Sequence, residues 1–124
     1  MNYLAIDYGS KRIGLAIAIE KIIKPIPGIK NDADVFKNIQ SIISEYKIEK
    51  IFVGVSEGEF ARITKKFVEE LKNVLTLPIE TVEEAVSTIE ADQIYLINKK
   101  KKKDYKKTID SIAAAVVLRR VIGF

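Results

Sequence analysis

Neither cysteine nor histidine occurs among the 124 residues. Without cysteine there are no disulfides and no thiolate metal sites. Without histidine there is no imidazole general base, no Ser-His triad and no imidazole metal ligand. Chemistry must rest on carboxylates, Lys, Arg, Tyr, Ser or Thr, or on a bound metal ion. A metal held here takes oxygen ligands, which favours Mg²⁺ or Mn²⁺ over Zn²⁺. Long apolar runs are also missing: none approaches the roughly 18 residues that a membrane helix needs. The first apolar stretch is broken by Asp7, Lys11 and Arg12, unlike the layout of a signal peptide. The expectation is a protein of the cytoplasm with no membrane partner.

What is present suits one globular domain spanning residues 1–124, with 48% apolar and 31% charged residues and enough chain to bury a core. The net charge of +4 is unevenly spread. Residues 99–107, KKKKKDYKK, carry seven Lys and one Asp, a balance of +6, while the remainder holds 14 basic against 16 acidic residues. The basic character belongs to one segment.

The first eighteen residues, MNYLAIDYGSKRIGLAIA, organise the rest. Tyr3 to Ile6 is a strand-forming run ended by Asp7. A turn follows at Gly9-Ser10, and Ile13 to Ile19 makes a second, antiparallel strand. Lys21 to Ile29 contains Pro25 and Pro27, which fits an edge strand or an irregular extended piece. Apolar residues at spacings of three and four predict helices over Ala33–Tyr46 and Phe60–Val74. Lys50 to Val55 is nearly all apolar, as in a central parallel strand. Leu77 to Thr81 is a further strand candidate, and Ala85 to Leu96 reads as helix. The final helix is read over Ile109–Ile122. Strands separated by helices imply parallel crossovers. With the early hairpin, the fold class is α/β: a mixed sheet with helices on both faces.

Three acidic positions lie at element ends. Asp7 ends the first strand, Glu83 and Glu84 end the last strand, and Asp110 opens the final helix. If the first and last strands are both central and parallel, Asp7 and the Glu pair emerge at the carboxyl edge of the sheet, where open α/β sheets place their sites. Strand alternation lets only one of Glu83 and Glu84 point at the cluster. Converging carboxylates repel unless a divalent cation lies between them, the layout of two-metal phosphodiester chemistry. Each position also has an ordinary explanation. An Asp before a turn shapes the turn, a Glu pair is solvated, and an Asp in a first helical turn favours the helix dipole. The basic run, Lys99, Lys100, Lys101, Lys102, Lys103, Lys106 and Lys107, attracts phosphate or is a solvated loop. Ser10, Lys11 and Arg12 add phosphate contacts beside Asp7, or form a polar turn.

At this point IDYGSKRIGLAIA resembles the opening signature of the YqgF/RuvX family, the RuvC-like, RNase H-fold nucleases of bacteria. IFVGV, EEAVSTIEA (Glu83 to Ala91) and IDSIAAAVVL (Ile109 to Leu118) resemble three further pieces of that family, in order. The resemblance covers nearly the whole chain. It implies an RNase H-like sheet of five strands, the first three antiparallel and the others parallel. It also implies that Asp7, Glu84 and Asp110 are the catalytic, metal-binding acids for Mg²⁺ or Mn²⁺, choosing Glu84 over Glu83. The implied function is an endonuclease processing the 5′ end of precursor 16S ribosomal RNA, with phosphodiester hydrolysis by metal-activated water. RNA is the preferred partner, branched DNA the second, and the protein a monomer or homodimer. The chain departs from the pattern at Ala85, where the family has Arg, at Glu83, where it has Asp, and in the shortened Ser56-Glu57-Gly58-Glu59 loop, whose Glu57 and Glu59 repel phosphate. Alternatives are a Holliday-junction resolvase-like DNA endonuclease and a non-catalytic nucleic-acid-binding module. A nucleotide-binding relative of sugar kinases and actin-like ATPases ranks last, since those proteins need two such domains.

Overall fold

The computed structural model describes residues 1–55, 58–83 and 102–122, and for 102–110 the backbone alone. Its strands are β1 (Asn2–Asp7), β2 (Arg12–Ile19), β3 (Ile22–Lys30), β4 (Lys50–Val55) and β5 (Ile79–Glu83). Its helices are α1 (Val35–Tyr46), α2 (Glu59–Val74) and α3 (Lys102–Ile122). The strands form one sheet in the order β3-β2-β1-β4-β5. β1 pairs antiparallel with β2, and β2 with β3. β1 pairs parallel with β4, and β4 with β5. The mixed sheet expected from the sequence is what is observed.

The hairpin between β2 and β3 turns on Glu20 and Lys21, which both have positive φ, 51° and 71°. A two-residue loop with both residues in this region matches the right-handed twist of the strands. No glycine is used there, so the usual Asn-Gly signal is absent. β3 is an edge strand in the described sheet, which accommodates Pro25 and Pro27 because an edge tolerates missing ladder donors. The β2–β3 register slips between Ile13 and Leu15, opposite Pro27-Gly28.

Alternation along each strand divides the core in two. Leu4, Ile6, Leu15, Ile17, Ile51 and Val53 face α1 and α2, meeting Val35, Ile39, Phe67, Val68 and Leu71. Ala5, Ala16, Ala18 and Phe52 face α3, meeting Ile112, Ala114, Ala115, Val117 and Leu118. Large branched residues fill the first layer. The second is built on alanines, which lets α3 lie close to the sheet.

Three expectations are corrected. β5 begins at Ile79 rather than Leu77. It lies at the edge of the described sheet, with β4 between it and β1, so of the two strands only β1 is central. The last helix starts at Lys102, seven residues before the apolar pattern does. Lysine is a good helix former, and no Gly or Pro interrupts the run. Apolar periodicity marks only the part of a helix that packs. The helix read over Ala85–Leu96 lies outside the described residues.

Candidate active site

Asp7 is the last residue of the central strand. It shares a face with Tyr3 and Ala5, the α3 side of the sheet. Its register partners are Gly14 on β2 and Gly54 on β4. Both neighbours on that level therefore lack side chains, and Asp7 is half-buried. The next residue, Tyr8, leaves on the opposite face. Its ring lies 4.3 Å from that of Phe67 and 5.9 Å from that of Phe60, measured between centroids. This aromatic anchor secures the end of β1, so Asp7 stays on the α3 side.

The loop beyond Asp7 is held from β3. The Asn31 side-chain amide donates to the Gly9 carbonyl at 2.9 Å, and the Asn31 backbone N–H donates to the Lys11 carbonyl at 2.9 Å. A Cβ at Gly9 would run into the Arg12 carbonyl oxygen, so the loop closes this tightly only with glycine there. Arg12 pairs in register with Lys30. By alternation both lie on the Asp7 face, two residues along from Gly14, and both are exposed. With Lys11, also exposed, they form a cationic border on this side of Asp7.

The third element is α3. Its Ser111 hydroxyl accepts the Leu15 backbone N–H at 3.0 Å, a contact between residues 96 positions apart. Leu15 directly follows Gly14, the register partner of Asp7, and Asp110 directly precedes Ser111. The backbone of residue 110 is thus tied to the strand pair that carries Asp7. Asp110 is also nine residues into α3, so it has no first-turn capping duty. At β5, Val82 packs on the α3 side and Ile79 on the other. Glu83 shares the parity of Ile79 and lies on the face opposite Asp7. Val82 is level with Gly54 and thereby with Asp7, two strands across.

A family model described as RuvX, Holliday junction resolvase, matches residues 1–123. The chain belongs to the RuvX family. A relative from Sulfurihydrogenibium sp. (strain YO3AOP1), named "Putative pre-16S rRNA nuclease", is 40% identical over 94% of this chain and 86% of its own length. Among solved structures, the fowlpox virus Holliday junction resolvase matches with a TM-score of 0.64 and 16% identity, covering 98% of this chain and 97% of that one. RuvC of T. thermophilus in complex with a Holliday junction substrate matches with a TM-score of 0.61 and 12% identity, covering 99% and 96%. These two likenesses concern the fold, which is RuvC-like and of the RNase H class.

In this RuvX-family chain the described structure brings together Asp7, the backbone of Asp110, and the cations Lys11 and Arg12. Ser10 lies in the same loop and is exposed. The backbones of Lys102, Lys103, Lys106 and Lys107 belong to the first turns of α3. Glu84, Ala85, Ser56, Glu57, Lys99, Lys100 and Lys101 lie outside the described residues, as does the side chain of Asp110. Among the described residues no three acidic side chains gather as a metal site, so Asp7 is the one proposed ligand whose side chain is described. The donor chemistry nonetheless fits a hard divalent cation. The chain holds no nitrogen or sulfur ligand from His or Cys, and the glycines paired with Asp7 put no side chain beside it on either neighbouring strand. Sequence reasoning missed Lys30, Asn31 and the flanking role of Gly14 and Gly54, because all four depend on strand register.

Proposed function

We propose that this protein is a metal-dependent endonuclease acting on RNA, with the 5′ end of precursor 16S ribosomal RNA as its substrate. The observation that carries the reading is the Ser111–Leu15 hydrogen bond. It ties the helix turn of Asp110 to the strand pair of Asp7, at the level where Gly14 and Gly54 flank that residue. Family membership supports it, as does the name of the 40% identical relative. Asp7, Glu84 and Asp110 would hold Mg²⁺ or Mn²⁺, which when bound supplies charge neutralisation at the scissile phosphate and acidification of water. Around that centre, Lys11, Arg12 and Ser10 contact phosphates on one side. The lysines Lys99, Lys100, Lys101, Lys102, Lys103, Lys106 and Lys107 draw the strand in, each neutralised phosphate releasing counterions. Asp7 is held on the α3 side of the sheet because Tyr8 is locked on the far face. The whole chain works as one domain, as a monomer or homodimer, in the cytoplasm where ribosomal RNA precursors are made.

The second reading is cleavage of branched DNA, favoured by the description of the family model. Its symmetric substrate calls for a homodimer. One experiment separates the two. Labelled precursor ribosomal RNA, single-stranded RNA and a four-way DNA junction are incubated with Mg²⁺, Mn²⁺ or EDTA, using wild type and Asp7→Asn. The expected result is cleavage of precursor RNA that is lost in EDTA and in the variant. Preferential cutting of the junction would transfer the assignment to the second reading. Salt-sensitive binding without cleavage would reduce the protein to a binding module.

A further inference from the structure

Only two polar side chains are buried among the described residues, Thr64 and Ser111. Thr64 bonds within its own helix, donating to the Phe60 carbonyl at 3.1 Å. Ser111 bonds across the layer to the sheet. It is fully buried in a surface otherwise built of Ala, Val, Ile and Leu. An alanine would pack there with less desolvation, so the hydroxyl is accounted for by what it bonds. We propose that Ser111 is a positioning residue, whose hydroxyl locks the α3 turn bearing Asp110 in register with the strand pair bearing Asp7.

The sheet is shaped to receive this hydroxyl. The β2–β3 ladder slips between Ile13 and Leu15, and Ser111 supplies the acceptor for the Leu15 amide at the slip. On β3 the backbone of Gly28 closes in: a Cβ there would lie 2.8 Å from the Ile13 carbonyl oxygen and 3.8 Å from Ser111 Oγ. A side chain at position 28 would crowd the ladder at the Ile13 carbonyl, while its Cβ would only touch the hydroxyl. Among the described residues, the buried part of the α3 contact is otherwise apolar and rich in alanine, and such contacts are non-directional. They hold the helix down without fixing its slide or rotation. The Ser111–Leu15 bond is directional, and its two ends are the residues next to Asp110 on the helix and next to Asp7's partner Gly14 on the strand. Outer contacts that orient metal-binding carboxylates typically matter about 10–100-fold in metal affinity or activity.

The inference rests on Asp110 acting in the site, and the test separates the two claims. Wild type is compared with Ser111→Ala, with Ser111→Cys, which keeps the volume but offers a weak acceptor, and with Thr64→Val, which removes the other buried polar bond. Four quantities are read: kcat and KM on precursor RNA, Mn²⁺ affinity by calorimetric titration without substrate, and Leu15 amide exchange. Both Ser111 variants are expected to lose about tenfold or more in kcat and in Mn²⁺ affinity. KM should stay within about twofold and Leu15 exchange should quicken. Thr64→Val should leave kcat and Mn²⁺ affinity unchanged. Wild-type kcat and Mn²⁺ affinity in a folded Ser111→Cys would overturn the proposal, as would an equal loss in Thr64→Val. Undiminished cleavage by Asp110→Asn would instead overturn the reading of the site itself.

Discussion

The Tyr8 ring lies 4.3 Å from the Phe67 ring, on the face of the sheet opposite Asp7. Consecutive strand residues point to opposite faces, so anchoring one orients the other. Phe67 is 4% exposed and stacks also on Phe36, at 5.8 Å. Phe67→Ala is expected to cost about 3–5 kcal/mol of stability, the range for an emptied aromatic site. It should also lower cleavage at temperatures where the variant remains folded. Urea denaturation and a rate measurement well below the midpoint check the two effects separately.

Asp7→Asn keeps size and shape and removes the charge. The expected outcome is a loss of cleavage of about 100-fold or more, exceeding the effect of outer-shell groups. Binding of precursor RNA should stay within a fewfold, because the proposed phosphate contacts lie elsewhere. Nuclease assays and a fluorescence titration of labelled RNA test this.

Glu83 and Glu84 should behave oppositely. Glu83 falls on the α1–α2 side of β5, away from Asp7. Glu83→Gln is expected to retain activity within about twofold, as surface changes usually do. Glu84→Gln should be nearly inactive. Equal activities in the two variants would remove Glu84 from the site.

Arg12 and Lys30 face one another at the rim. Each phosphate contact on single-stranded nucleic acid contributes about 0.7 to the slope of log affinity against log salt. Arg12→Gln and Lys30→Gln are each expected to reduce that slope by about this amount. Both should raise KM more than they lower kcat. Affinities measured across a salt series give the slopes directly.

Metal removal supplies the last check. EDTA should abolish cleavage, and Mg²⁺ or Mn²⁺ should restore it while Zn²⁺ does so poorly. An all-oxygen ligand set favours the harder ions. Protein unfolding midpoints in EDTA should shift little, since the described core is apolar and independent of the carboxylates.

Much of this architecture is legible along the chain. Tyr3 to Ile6 is an unbroken run of strand formers, and the turn residues after Asp7 mark where the strand must stop. The spacing of Val35, Ile39 and Ile43 announces α1, and that of Phe67, Val68 and Leu71 announces α2. Where the pattern is silent, the reading fails. The lysines of α3 have no apolar period, so no local pattern marks its first turns as helix. The hairpin at Glu20-Lys21 carries no glycine, so its turn type was hidden.

The sequence by itself determined the chemistry available: oxygen ligands only, one basic segment, and an acid at the end of a buried strand. It also determined which residues of each element face inward, because burial imposes a period on the local pattern. Only the tertiary structure decided which elements are neighbours. Periodicity says that Gly14 and Gly54 lie on strands; strand pairing puts them on either side of Asp7. The same pairing sets Lys30 against Arg12, and packing brings Ser111 onto Leu15. Such relations span tens of residues and arise from long-range register. No local propensity encodes that register, and the candidate site is built from it.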